Sequence, residues 1–240
     1  MNSKEVLKSI VDRVKATRGS GKRPVVVLDL DATLFDNGPR SWTILAEFAD
    51  ETKNETLKTA LASYRKELLP YLLSDMFAEM NLSDEALTKS ATKYWFERFF
   101  TDAYQAHDIP MPGAPKFVNE LYNEGATIVY LSGRDSPGML VGCAASLREH
   151  GFPVGLTNTA IVLKPDFETP DAVFKEEACR FMAEMGEVVC TIDNEPGNVN
   201  LFQRQFPDAI NVLIHTNFAP GGPEPAEGLS HIEDFSSWAL

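Results

Sequence analysis

The stretch VVVLDLDATLFD places two carboxylates, Asp29 and Asp31, directly after the apolar run Val25 to Leu28. A continuous Val/Leu run reads as a strand buried on both faces, the mark of a parallel sheet covered by helices. Side chains two apart in an extended segment point the same way, so the two acids emerge together from the strand end. Anions that close repel, and the arrangement persists only if one is protonated or a cation sits between them. That suggests a metal site with an acid beside it.

Two further apolar strands end in polar residues: Leu131 leads into Ser132-Gly133-Arg134, and Ile192 into Asp193-Asn194-Glu195. Any one of these could be a turn or a helix cap, where Ser and Asp are favoured. In open parallel sheets, however, ligands collect outside the carboxyl ends of the strands. Taken together the strand ends define a candidate site.

Asp29-Leu30-Asp31-Ala32-Thr33 resembles the first motif of the haloacid dehalogenase superfamily, Asp-x-Asp-x-Thr/Val after an apolar strand. Ser132 is similar to that family's second-motif Ser/Thr, and Asp193 to its acidic fourth motif. The resemblance implies a magnesium-dependent phosphatase or related phosphoryl-transfer enzyme. Asp29 would be the nucleophile that forms an aspartyl-phosphate. Asp31 would protonate the leaving oxygen and then deprotonate water, which requires a pKa raised toward neutrality. Mg2+ would be held by the carboxylates of Asp29 and Asp193 and by the backbone carbonyl of Asp31. Ser132 and Gly133 would meet phosphate oxygens, helped by backbone N–H groups at the following helix start, and Thr33 would fix the turn. Arg134 would either grip a second anionic group or form a structural ion pair.

The lysine of the third motif has two candidates. Lys164 follows the short apolar run ending at Leu163; Lys175 follows Phe174 near the start of a helix, and is preferred. The fourth motif departs from the family pattern, since Asn194, Glu195 and Asn198 stand where a second acid is usual; Asn still suits an outer shell. His107, His150, His215 and His231 show no ligand spacing, and His215 could at most reach the pocket rim.

The elements that position these residues follow from periodicity. Val6, Leu7, Ile10, Val11 and Val14 mark an amphipathic first helix. Gly19-Ser20-Gly21-Lys22 lacks the spacing and the Ser/Thr of a P-loop and reads as a connector. From about residue 39 to 110 the pattern is helical: Ile44, Leu45 and Phe48 form one face, and Leu57, Leu61, Tyr64 and Leu68 another. The aromatic run Tyr94, Trp95, Phe96, Phe99 and Phe100 is read as this region's own core in preference to a substrate cavity. Helix and strand then alternate, with strands at Thr127–Leu131, Ile161–Leu163, Val188–Ile192 and Ile210–Ile214, an apolar piece at Val154–Leu156, and a loop tail whose residues from Ile232 to Leu240 dock on the core.

The expected fold is α/β: a Rossmann-like, doubly wound parallel sheet formed by residues 1–38 and 111–240, with an α-helical cap inserted at 39–110. The hydrophobic content of 44% and 240-residue length suit a globular protein, and the net charge of −13 argues against nucleic acid or an anionic membrane as partner. Cys143, Cys179 and Cys190 form no Cys-x-x-Cys pair, and there is neither a signal-peptide core nor a membrane-spanning run, so the expected location is the cytoplasm. The expected activity is hydrolysis of a small soluble phosphomonoester, a phosphorylated metabolite. A phosphomutase on the same fold and a non-catalytic phosphometabolite-binding protein are the alternatives, and oligomeric state is open. A dehalogenase is disfavoured because its chemistry needs neither the Asp31 acid nor magnesium.

Overall fold

The computed structural model of the chain describes residues 1–64 and 69–239. The first helix, α1 (Ser3–Gly19), is closed at its start by reciprocal hydrogen bonds between Asn2 and Glu5, and it buries the five apolar residues its spacing predicts. The Gly19–Lys22 segment connects it to β1 (Pro24–Leu28), every residue of which is buried.

β2 (Phe35–Asp36) then leads into α2 (Gly38–Glu51), α3 (Glu55–Ser63), α4 (Leu73–Glu79) and α5 (Glu85–Phe99), followed by a 3-10 turn at Ala103–His107. β3 (Ile109–Pro110) brings the chain back and pairs antiparallel with β2, so the outgoing and returning passages lie side by side. These helices carry their own apolar cluster, which includes Leu45, Phe48, Leu57, Leu61, Met76, Phe77 and Ala91. Full burial of a side chain such as Phe77 is worth roughly 1.5–3 kcal/mol. Tyr64 packs against this cluster, whereas Leu68, expected on the same face, lies outside the described residues.

The alternating part follows as α6 (Ala114–Asn123), β4 (Thr127–Asp135), α7 (Ser136–Glu149), β5 (Thr159–Lys164), α8 (Asp171–Met185), β6 (Glu187–Asp193), α9 (Pro196–Gln205), β7 (Ile210–Ile214) and β8 (Ser230–Ile232). The six-stranded sheet runs β5-β4-β1-β6-β7-β8, and all its neighbours pair parallel. One apolar cluster lies under α1 and α6 and another under α8, so helices cover both faces. This is the α/β Rossmann-like arrangement the sequence pattern predicts.

Three local features differ from expectation. β8 lies in the tail expected to be loop: a three-residue strand in a Pro/Gly-rich segment has no period of its own and forms by pairing with β7. The piece at Val154–Leu156 is not a strand: Gly155 adopts φ +68 there and Leu156 is exposed. β4 continues through Ser132 to Asp135, with a register shift against β5. At the C-terminus, Ile232 and Phe235 are buried and Trp238 packs on the core cluster, while Leu240 lies outside the described residues.

Among the described residues no helix is long and apolar enough to cross a membrane. The three cysteines are buried and unpaired.

Candidate active site

The strand order places β4, β1 and β6 next to one another, so the polar ends foreseen from sequence meet at one sheet edge. After β1 the chain turns sharply: Leu30 O accepts from Thr33, Leu34 and Phe35 N–H, and Ala32 adopts a left-handed φ of +55. Left-handed backbone costs a residue with a Cβ roughly 1–3 kcal/mol and persists only where the surroundings enforce it. Here Thr216 Oγ1 donates to Ala32 O at 2.6 Å, and the buried Thr33 hydroxyl donates to Asn194 Oδ1 at 3.3 Å. Thr33 thus ties the first strand's turn to the residue after Asp193.

Lys175, in the second turn of α8, stands between two acids. Its Nζ is 2.9 Å from Asp29 Oδ1 and 2.7 Å from Asp193 Oδ2, and all three side chains are buried. Burial pulls the lysine pKa down, but Asp193 and Asp29 outweigh it and hold the ammonium charged. Burial pushes Asp29 up; Lys175 opposes this, while Asp193 and Asp31 add to it, and the net direction is up. One lysine therefore under-compensates two buried acids. Asp193 is fixed further by the Glu195 backbone N–H at 2.9 Å and the Asn198 side-chain amide at 3.1 Å. Asn198, expected in an outer shell, thus braces the Asp193 carboxylate.

This imbalance fits a divalent cation. The available donors are hard oxygens, and magnesium typically binds one or two carboxylates and keeps several waters. Among the described residues, no group of three or more His, Cys, Asp or Glu side chains converges to hold a metal, so a metal here would rest on Asp29, Asp193 and main-chain oxygen.

Asp31 differs from expectation. Arg134 forms a two-pronged pair with it, Nη2 to Oδ1 at 2.8 Å and Nε to Oδ2 at 3.0 Å, and Asn37 donates to Oδ1 at 2.8 Å. Burial pushes Asp31 up, but the charge and hydrogen bonds of Arg134, with Arg40 and Asn37, hold it well below the usual carboxylate range. The raised pKa expected for a resting general acid is therefore absent.

Arg134 also donates to Asp108 Oδ2 at 2.9 Å and to Gln105 Oε1, while the fully buried Arg40 donates to both Asp108 oxygens through its Nε and Nη2. Of the two readings of Arg134, the structure shows the ion pair. The same network joins the strand ends to the neck of the helical insertion. Arg40, Gln105 and Asp108 carry no signal in the sequence, since a buried ion pair leaves no periodicity, and Asn37-Gly38-Pro39 has only the composition of a turn.

Ser132 is buried, and its hydroxyl accepts the Arg134 backbone N–H at 3.3 Å. Gly133 lines the cavity against Asp171, whose carboxylate would lie 2.4 Å from any Cβ at that position. Lys164 turns away: its ammonium pairs with Asp171 at 2.9 Å and donates to Phe167 O at 3.2 Å, so it joins neither Asp29 nor Asp193. His215 stacks on His231 and does not line the cavity. A cavity of about 540 Å³ opens above Asp29, Asp31 and Lys175, lined also by the helical insertion, including Trp95, Phe99 and Phe100. Tyr94 and Trp95 pack on the insertion's own cluster as the sequence predicts, while Trp95, Phe99 and Phe100 also wall the cavity.

The fold and this site define an α/β protein with the haloacid dehalogenase-like fold. A Clostridium difficile protein provisionally named a phosphatase superposes with a TM-score of 0.57 over 91% of this chain and 99% of its own, at 15% identity. A haloacid dehalogenase-like hydrolase from Streptococcus pneumoniae gives 0.52 over 89% and 94% at 12% identity, and a Thermotoga maritima protein provisionally named β-phosphoglucomutase gives 0.51 over 90% and 96% at 10%. No family model matches the sequence, and no curated protein is significantly similar to it. At these identities the likeness is one of fold.

Proposed function

We propose that the chain is a phosphohydrolase that acts on a small phosphomonoester through an aspartyl-phosphate, in the cytoplasm, with residues 39–110 as a cap over the site. The observation that carries this reading is Lys175 set between Asp29 and Asp193 at the floor of the cavity. A nucleophilic carboxylate needs cations that favour its ionised form and meet the incoming phosphoryl oxygens; Lys175 contributes to both, and a divalent cation would supply the charge it leaves uncompensated.

In this reading an Asp29 oxygen attacks phosphorus, the ester P–O bond breaks, and the alcohol departs with a proton. Water then cleaves the acyl phosphate, releasing inorganic phosphate and regenerating Asp29. Asp31 handles the protons in both halves, which requires Arg134 to loosen its two-pronged pair when substrate enters. Ser132, Gly133 and the N–H groups at the start of α7 orient the phosphoryl oxygens. Asp29, Asp193 and the Asp31 carbonyl would hold Mg2+, which supplies positive charge against the phosphoryl group and the two acids.

The direct test incubates the protein with Mg2+ and an aryl phosphate and follows phosphate release, with mass spectrometry of a quenched sample for phosphorylated Asp29. Release abolished in Asp29→Asn supports the reading. Transfer of the phosphoryl group to added alcohol in place of water would mark a mutase. No turnover across nucleotide, sugar, amino-acid and aryl phosphates would mark a binding protein.

A further inference from the structure

The cavity above Asp29 is larger than a phosphoryl group requires: its volume of about 540 Å³ falls within the roughly 300–1,000 Å³ of pockets that enclose a whole small molecule. The remainder of the space has a definite chemistry. Thr92, Trp95 and Phe99 recur three and four apart along α5, so they share one face, and that face, with Phe100, lines the cavity.

The rings of this wall are held in place. Trp95 stacks on Phe99 with centroids 4.4 Å apart, and Phe100 meets the two edge-on at 5.7 and 5.1 Å. The Trp95 indole N–H donates to Ser41 Oγ at 3.0 Å, and the Arg40 guanidinium lies 4.4 Å over Phe99. An aromatic wall fixed before binding loses little freedom when a ring docks on it.

Charge excludes other ligands. Among the described residues the cationic side chains lining the cavity are Lys175 and Arg134, and each already faces two carboxylates. Asp171 and Glu195 line the same space. A second phosphate or carboxylate on the ligand would meet these acids, with no further cation among the described lining residues to offset them.

We propose that the cavity takes a phosphomonoester whose alcohol portion is a flat aromatic ring carrying no second anionic group, a substrate class that rests on the phosphohydrolase reading above. The phosphoryl group sits at Asp29 and Lys175, and the ring lies against the α5 wall.

The test measures calorimetric binding of 1-naphthyl phosphate, glycerol phosphate and fructose 1,6-bisphosphate to the Asp29→Asn protein with Mg2+, alongside kcat/KM of the unsubstituted protein for each. Naphthyl phosphate is expected to bind at least about tenfold tighter than either of the others. Trp95→Leu with Phe100→Leu should erase about tenfold of that affinity and change glycerol phosphate by less than about twofold. Thr92→Lys, at an exposed helix position that folding tolerates, should tighten the bisphosphate severalfold. Naphthyl preference in binding without phosphate release would overturn the phosphohydrolase reading and uphold the ligand class. Phosphate release from all three at equal kcat/KM would uphold the former and overturn the latter, and no binding by any of them would overturn both.

Discussion

Arg134 approaches Asp31 with two parallel hydrogen bonds, 2.8 and 3.0 Å long, and the same guanidinium holds Asp108 at 2.9 Å. One side chain thus fixes both the second acid of the strand end and the returning passage of the helical insertion. A two-pronged guanidinium–carboxylate pair is strong and directional. It also holds the acid ionised.

Replacing Arg134 by Met should free that acid. With only Arg40 and Asn37 left to oppose burial, the Asp31 pKa should rise from well below the usual range, which carboxyl NMR titration against an Asp31→Asn control reads directly. The stability sign follows from linkage. A depressed folded pKa stabilises fully above the unfolded value of about 3.9 and loses that contribution as pH falls through the folded pKa. The unsubstituted protein should therefore show acid sensitivity from this pair only below about pH 4, and Arg134→Met should show less of it. An unchanged Asp31 titration in the variant would refute the assignment.

Asp29→Asn should abolish turnover yet raise stability at neutral pH. Its folded pKa is raised, so Asp29 costs increasing stability as pH climbs above about 4 toward the folded pKa. Asparagine removes that cost and leaves Lys175 balanced by Asp193. A gain of about 1 kcal/mol corresponds to roughly 2–4 °C in Tm for a chain of this size. Mg2+ should raise the Tm of the unsubstituted protein more at pH 8 than at pH 5, and this difference should shrink in the variant. A lower Tm for Asp29→Asn at pH 7.5 counts against the charge argument.

The two lysines should separate cleanly. Lys175→Met leaves two buried carboxylates without their partner and should cost about 3–5 kcal/mol together with all activity. Lys164→Met loses a pair with an Asp171 side chain that is 59% exposed, a class of pair worth about 0–1 kcal/mol. Turnover should survive it within about twofold. Denaturant melts and kcat for the two variants decide which lysine belongs to the site.

The neck is tested at Gly142. A Cβ there would lie 2.3 Å from Asp102 O and 2.7 Å from Gln105 Nε2, against main chain on one side. Gly142→Ala should cost about 1–3 kcal/mol through this overlap. Because Gln105 accepts from Arg134, displacement of the turn should also shift the Asp31 titration, a readout that simple loss of packing elsewhere would not move.

Residues whose roles follow from a period were legible in the chain. The apolar runs before Asp29, Ser132 and Asp193 announce buried strands, and parallel-sheet topology then brings their ends together. Lys175 could be favoured over Lys164 because it opens a helix above that edge. Arg40 and Asp108 left no trace, since each is a single charged residue beside a turn and becomes buried only through the other. Trp95, Phe99 and Phe100 were visible as a helical face. A helix packed in a small core and one walling a cavity share that pattern, and only the position of α5 over the strand ends separates them. The short β8 depends wholly on its neighbour.

The pairing of β2 with β3 has a consequence for the chain as a material. Phe35 lies opposite Pro110 and Asp36 opposite Ile109, so everything between them enters and leaves through one hydrogen-bonded gate. Closing a loop costs free energy only as the logarithm of its length, about 0.6 kcal/mol per doubling. Helices can therefore be lengthened, shortened or exchanged beyond that gate at small cost to the sheet. The strand-end site and the helical surface above it can change on separate schedules.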